Sequence, residues 1–178
     1  MQNDEAARPN NFFSDAVTVG LPAWVKDFVS ASAVYSTDEA RMRLAIALSH
    51  KNVIQGTGGP FGAAVFEEDT GRLVSVGVNS VERMSNSVLH AEVMALMLAQ
   101  ATVGSFTLHG PGMHPHILAT SCEPCAMCLG ALLWSGVRRI VCGARRDAAL
   151  AIGFDEGPVF AESYQYLEAR GISIVRGL

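Results

Sequence analysis

The chain is poor in lysine and in charged residues overall. Only two of its 178 residues are lysines, Lys26 and Lys51, charged side chains make up 17%, and the formal net charge is −4. Proteins that bind the phosphate backbone of nucleic acids usually present a basic face, so this charge balance argues against a nucleic-acid partner. Hydrophobic residues make up 49% of the chain, which argues against extensive disorder.

Long apolar runs and a secretory leader are also missing. No stretch approaches the ~20 apolar residues that span a bilayer, and residues 1–9 are polar rather than the opening of a signal peptide. We therefore expect no membrane association and a cytoplasmic location. The length fits one domain with a substantial core. We expect an N-terminal arm over residues 1–35 and the domain over residues 36–178.

Cysteine is scarce, and its spacing does not suit a disulfide framework. Three of the four cysteines, Cys122, Cys125 and Cys128, fall within seven positions, and the fourth is Cys142. This crowding favours metal ligation by Cys125 and Cys128. Cys122 and Cys142 lie in or beside predicted apolar strands, where we expect them to be buried as small hydrophobic side chains.

The most informative pattern is His90-Ala91-Glu92 followed by Pro124-Cys125-Ala126-Met127-Cys128. One imidazole and two thiolates supply three positions of a tetrahedral zinc site and leave the fourth for water, as catalytic zinc requires. Cys125 and Cys128 are three residues apart at a predicted helix start, so both project from one face of the first turn. Glu92 is placed to move protons near the metal. This pattern is typical of zinc deaminases that act on nucleobases.

Apolar periodicity and turn residues predict alternating helices and strands. Pro22 opens a short helix, and a capping-box pattern at residues 36–39 begins a longer one, which the glycine-rich run 56–60 ends. We expect further helices from His90, over 124–134, around Ala148 and up to about 170, and strands over 61–66, 73–78, 116–120, 139–142 and 172–175. This order predicts an α/β fold, a three-layer α/β/α sandwich with a mixed central sheet of about five strands.

With these motifs the sequence resembles the cytidine deaminase-like superfamily, and more narrowly its bacterial-type guanine deaminase branch, over roughly residues 56–160. The zinc motifs belong to the whole superfamily, whereas Trp134 and the run Gly153-Phe154-Asp155-Glu156 favour the purine-base branch. The resemblance implies a cytidine deaminase-like fold. It also implies Zn²⁺ bound by His90, Cys125 and Cys128, with Glu92 as the catalytic proton shuttle.

The resemblance further implies contacts to a small nucleobase substrate. Phe61 would pack on the purine ring, Asn79 would hydrogen-bond its polar edge, and the backbone at Ala91 and the side chain of Trp134 would complete the pocket. Asp155 would also contact the substrate, and Glu156 in the same loop would help to pass a proton to the departing amine. The implied reaction is hydrolytic: hydroxide attacks the amine-bearing carbon of guanine, giving xanthine and ammonia.

A homodimer is expected as well, because the related enzymes are dimers and the arm carries the apolar side chains Phe12, Phe13, Trp24 and Phe28. Other functions stay open at this point. They are deamination of cytosine or cytidine, of an aminotriazine, of guanosine or of tRNA adenosine, and a non-catalytic zinc-binding module. Glu92 argues against the last of these, because a module that needed only the metal would have no use for this carboxylate.

Overall fold

Five strands form one mixed sheet in this computed structural model, which describes residues 14–30, 32–155 and 157–178. They are β1 (Gly62–Glu67), β2 (Leu73–Val78), β3 (His116–Cys122), β4 (Arg139–Ala144) and β5 (Ser173–Arg176). Their order in the sheet is β2-β1-β3-β4-β5. β1 pairs antiparallel with β2 and β3, and the β3–β4 and β4–β5 pairs are parallel. The predicted mixed five-stranded sheet is confirmed.

Helices cover both faces of this sheet. In the described residues they are α1 (Trp24–Phe28), α2 (Asp38–Ile54), α3 (Val81–Met84), α4 (Ala91–Val103), α5 (Ala126–Ser135), α6 (Arg146–Ala151) and α7 (Ala161–Ala169). Successive side chains of a strand point to opposite faces. Accordingly, Ala63 and Val65 of β1 join one apolar core with α4, α5 and α7, whereas Ala64 and Phe66 join a second core with α1 and α2. The predicted α/β/α sandwich is therefore confirmed.

Two local details differ from the sequence prediction. The N-cap of α2 is Thr37, whose hydroxyl accepts a hydrogen bond from the backbone N–H of Ala40 at 3.2 Å, so the cap lies one residue later than the predicted box. The four-residue helix α3 lies between β2 and α4, where the sequence analysis predicted no helix. It ends at Ser85 in a left-handed conformation, with φ of 49°.

The described part of the N-terminal arm packs against the second core. Val25 is buried, and Leu21, Trp24 and Val29 lie against the same cluster. Further along, Val34 forms an isolated bridge with Arg72 beside β2. Within the part of the chain that the structure describes, no helix combines the length and the apolar character needed to cross a membrane.

Candidate metal centre and substrate cavity

Three potential metal ligands converge at the N-termini of two helices. His90 is the N-cap residue of α4, Cys125 is the N-cap residue of α5, and Cys128 lies in the first turn of α5. Their ligand atoms all lie within 4.8 Å of one another. The Cys125 Sγ is 3.6 Å from the His90 Nδ1 and accepts a hydrogen bond from the backbone N–H of Cys128 at 3.5 Å. The predicted set is thus brought together as expected.

The electrostatics of this cluster suit a soft divalent cation. A hydrogen bond from the Cys128 thiol, followed by one from His90, lowers the pKa of Cys125 to about 4. The same thiol–thiolate hydrogen bond, together with burial, raises the pKa of Cys128. Zinc binds the thiolate form of cysteine, so a metal ion would displace the thiol protons of this pair. One imidazole and two buried sulfurs are the donors that zinc prefers, and a three-donor set leaves a coordination position for water.

Glu92 lies beside these donors, two residues after His90 in α4. Its carboxylate is buried and accepts hydrogen bonds from the Thr120 hydroxyl at 3.3 Å and from the Cys128 thiol at 3.4 Å. Burial raises the pKa of Glu92 above the usual range of a glutamate. A carboxyl group that is fixed in orientation and shifted towards the protonated form is suited to accepting and returning a proton.

An open cavity of about 430 Å³ adjoins the metal donors. Its wall includes five residues singled out by the sequence: Phe61, Asn79, His90, Glu92 and Asp155. The remaining lining is formed by Val53, Gly58, Gly59, Pro60, Val81, Glu82, Glu123 and Phe154. A cavity of this size, with an apolar wall and a few polar groups, suits a small planar ligand.

Phe154 is a wall residue to which the sequence assigned no role. Its ring packs edge-on against Phe61, with centroids 4.9 Å apart and an interplanar angle of 90°. Such a contact fixes the plane of the Phe61 ring. The available signal was the position of Phe154 in the motif that also contains Asp155.

Glu123 is a second wall residue that sequence reasoning missed. It is buried next to the metal-binding turn, and its carboxylate accepts hydrogen bonds from the Arg176 Nε at 2.6 Å and from the backbone N–H of Arg146 at 3.1 Å. It therefore ties the turn before Cys125 to β5 and to the start of α6. The sequence signal that could have indicated Glu123 is an acidic residue at the end of an apolar strand.

Trp134 does not line this cavity, and the prediction that it does is wrong for the single chain. Helix α5 begins at the metal donors and runs away from them, which places Trp134 about 9 Å further along the helix axis than Cys128. Its side chain is 82% exposed and lines a separate surface hollow with Met97 and Phe106.

Three other predicted contacts have different outcomes. The side chain of Ala91 is buried away from the cavity, so its backbone contact to a substrate stays a prediction. Asp155 lies on the cavity wall, where its carboxylate accepts a hydrogen bond from the backbone N–H of Gly157 at 2.9 Å. Glu156 lies outside the described residues.

Comparison with known proteins gives concordant matches. The family model described as the cytidine and deoxycytidylate deaminase zinc-binding region matches residues 35–144. The guanine deaminase of Bacillus subtilis (strain 168) is 34% identical over 134 residues, which are 75% of this chain and 81% of that protein. The structure of the guanine deaminase from Nitrosomonas europaea superposes with a TM-score of 0.88 at 44% identity, covering 94% of this chain and 92% of that one. A mutant of NE0047 in complex with 8-azaguanine gives a TM-score of 0.88 at 44% identity, covering 93% and 91% of the two chains.

Proposed function

Because this chain belongs to the cytidine and deoxycytidylate deaminase zinc-binding family, we propose that it is a zinc-dependent deaminase that hydrolyses guanine to xanthine and ammonia. The observation that carries the proposal is the cavity in which Phe61, Asn79 and Glu92 face a common space beside the metal donor His90. The similarity to two guanine deaminases, and the 8-azaguanine bound in a related structure, support a purine base as the substrate.

The proposed binding mode uses one apolar and one polar wall. The Phe61 ring, held by Phe154, offers a flat face on which a purine ring stacks. The Asn79 amide offers one acceptor and two donors, which match the alternating donors and acceptors on the edge of guanine. Between these walls the amine-bearing carbon of the base would face Glu92 and the metal donors.

The proposed chemistry divides between the metal and the buried carboxylate. Zinc held by His90, Cys125 and Cys128 would lower the pKa of a water molecule towards ~7. Glu92 accepts a proton from the attacking water and delivers it to the ring nitrogen next to the reacting carbon. Since its pKa is raised by burial, Glu92 can hold this proton between the two transfers. Thr120 keeps the carboxylate oriented through its hydrogen bond.

Release of ammonia requires a second proton transfer: the hydroxyl group added to the reacting carbon loses its proton as it becomes the new carbonyl, and the departing amine gains one. We assign this step to Glu156 on the resemblance of its sequence motif. Asp155, the preceding residue in the sequence, lies on the cavity wall. Replacing Glu156 with Gln is expected to lower kcat more than it raises KM, because a group that transfers protons acts on the chemical steps. Unchanged kcat in this variant would move the role to Asp155 or to neither residue.

A screen of ammonia release tests the substrate. We expect guanine to be the best substrate in a panel with guanosine, cytosine, cytidine, adenine and an aminotriazine, and activity on cytidine to be weak or absent. Faster release from cytidine in this panel, or from tRNA adenosine in a parallel assay with tRNA, would overturn the assignment of guanine. If the zinc-loaded chain released ammonia from none of these compounds, the non-catalytic module would be favoured.

We also infer that a second copy of this chain covers the hollow around Trp134. Met97, Phe106 and Trp134 are 41%, 88% and 82% exposed, and no charged residue lines the hollow. An exposed apolar patch of this kind marks an interface, and a patch without charges favours self-association. Of the arm residues on which the expected dimer was based, Trp24 and Phe28 pack edge-on against each other at 5.6 Å, and Phe28 is 39% exposed. Phe12 and Phe13 lie outside the described residues.

Light scattering at micromolar concentration tests the dimer. Trp134→Glu is expected to convert the protein to a monomer, because the carboxylate would be buried without a partner in the interface. Tyr166→Glu is the matched control, since Tyr166 is an exposed aromatic residue on the separate helix α7. A monomeric wild-type protein would contradict the inference.

We place the protein in the cytoplasm because Cys125 and Cys128 are needed as metal ligands and must stay reduced to bind zinc. A reducing compartment keeps such thiols available for zinc.

A further inference from the structure

A buried amide lies behind the two walls of the substrate cavity and contacts both. Asn52, in the last turn of α2, is fully buried. Its Nδ2 donates to the carbonyl oxygen of Gly59 at 3.0 Å and to that of Asn79 at 2.9 Å. Gly59 is two residues before Phe61, and the backbone N–H of Asn79 donates in turn to the Phe61 carbonyl at 3.1 Å. One side chain therefore joins the segment that carries Phe61 to the segment that carries Asn79.

The orientation of this amide is fixed by a second pair of side chains. The Oδ1 of Asn52 accepts a hydrogen bond from the Thr57 hydroxyl at 2.7 Å, and the Thr57 oxygen accepts one from the indole N–H of Trp24 at 3.0 Å. All hydrogen-bonding groups of the Asn52 side chain are then satisfied. Rotating the amide by half a turn would place its oxygen against two carbonyl oxygens, so only one orientation is stable. Trp24 extends the network to the N-terminal helix α1.

The surrounding backbone has no spare room. A side chain at Gly58 would overlap the Asn79 carbonyl and would lie 2.9 Å from the Asn52 Nδ2. The backbone at residue 58 therefore packs directly against the hydrogen bond between the Asn52 Nδ2 and the Asn79 carbonyl. A shift of Asn52 would be transmitted to both walls rather than absorbed.

We propose that Asn52 is a positioning residue that sets the distance between Phe61 and Asn79, and that Thr57 and Trp24 lock it in its working orientation. The inference rests on the proposed function in so far as these walls bind the base. Asn52 contacts neither Glu92 nor the metal donors, and it does not line the cavity. Its loss therefore weakens binding of the base more than it slows the chemical steps.

Steady-state kinetics of four variants test this role. Asn52→Ala is expected to raise KM for guanine about tenfold while kcat changes less than about threefold, because the two half-buried carbonyls of Gly59 and Asn79 lose their donor. Thr57→Val removes the hydroxyl and is expected to raise KM less than Asn52→Ala does, and Thr57→Ser, which keeps the hydroxyl, should restore it. Trp24→Phe keeps an aromatic side chain, although a smaller one, and removes the N–H, so it should raise KM at least as much as Thr57→Val does.

A matched control separates positioning from general loss of stability. Ser75 is also buried, and its hydroxyl donates to the Ala95 carbonyl at 2.6 Å, remote from both walls. Ser75→Ala is expected to lower Tm without raising KM. If Asn52→Ala and Thr57→Val lowered Tm but left KM unchanged, the role would be structural only and the proposal would be overturned.

A measurement that needs no activity follows the network itself. The chain has two tryptophans, so the indole N–H region of an ¹⁵N NMR spectrum holds one signal each from Trp24 and Trp134. Thr57→Val should shift the Trp24 signal and speed its exchange with solvent, leaving the Trp134 signal in place, and Thr57→Ser should restore it. An unmoved Trp24 signal would overturn the proposal. Failure of the proposed function would appear in the wild-type protein as absent guanine turnover, and the KM comparison would then use the base that the screen identifies.

Discussion

Helix α4 carries His90 and Glu92 on its first turn, and its distance from the sheet is set by a glycine. Gly77 in β2 faces this helix directly. A Cβ atom added at Gly77 would overlap the Ala91 carbonyl oxygen and would lie 2.5 Å from the Ala95 backbone nitrogen. Both clashing atoms belong to the backbone, so no side-chain rotation relieves them. We therefore predict that Gly77→Ala pushes the start of α4 away from the sheet.

The size of the effect follows from this geometry. Ordinary contacts begin at 3.4 Å, and the added Cβ would lie 2.0 Å from the Ala91 carbonyl oxygen and 2.5 Å from the Ala95 nitrogen. The helix would therefore have to move by about 1–1.4 Å, and overpacking of this kind costs about 1–3 kcal/mol of folding free energy. For a chain of this length that corresponds to a fall in Tm of about 2–12 °C. A displacement of about 1 Å at catalytic groups lowers turnover by about 10²-fold. We expect both effects, measured by calorimetry and by ammonia release from guanine.

Gly130 provides the matched control for this substitution. It lies within α5, where an added Cβ would meet nothing within 4 Å. Because alanine favours a helix over glycine, Gly130→Ala should raise stability by about 0.5–1 kcal/mol and leave turnover unchanged. If Gly77→Ala retained wild-type Tm and turnover, the close approach of α4 to β2 would not be what positions His90 and Glu92.

Three further outcomes are expected. Removing zinc with a chelator should lower Tm, and adding zinc should restore it, because the metal binds the assembled site of the folded chain; an unchanged Tm in calorimetry would contradict the metal centre. A hydrogen bond from Arg72 lowers the pKa of Glu67 from 4.5 to about 2, so the stability that it contributes is present above pH 4.5 and is lost as the pH falls towards 2. Glu67→Gln should therefore lower Tm near neutral pH, and its difference from the wild type should shrink below pH 4.5 in a pH series of thermal unfolding; a constant difference would contradict this. Phe154→Ala should raise KM for guanine about tenfold with little change in kcat, because Phe61 loses its edge-on support; unchanged KM would show that Phe61 is held by other contacts.

The elements that the sequence predicted well are those whose pattern is local. Strand β1 is a short apolar run that precedes a turn, and because both of its faces are buried, the run is apolar from Gly62 to Phe66. Helix α3 was not predicted because its four residues have no apolar periodicity and so short a helix depends on its surroundings. The boundary expected at residue 35 stays a prediction, although the segment around Val25 packs on the second core.

The metal centre was predictable because its functional residues occur in two short sequence motifs. Cys125 and Cys128 need only one helical turn to share a face, and His90 and Glu92 lie within three residues. Longer-range relations were out of reach. Asn52 donates to the carbonyl of a residue 27 positions away, and nothing near Asn52 in the sequence announces that contact. Trp134 was wrongly predicted to line the cavity because the family resemblance identifies the residue but does not show that helix α5 runs away from the metal donors.

The most direct test of a zinc-dependent deaminase with Glu92 as proton shuttle is a parallel measurement of zinc content and guanine turnover in Glu92→Gln. The amide keeps the shape of the carboxylate but cannot accept a proton from water. We predict a zinc content near one per chain, as in the wild type, a Tm close to that of the wild type, and turnover lower by about 10²–10⁴-fold. A variant that retained its zinc and more than about a tenth of the wild-type rate would contradict the assignment of Glu92 as the shuttle.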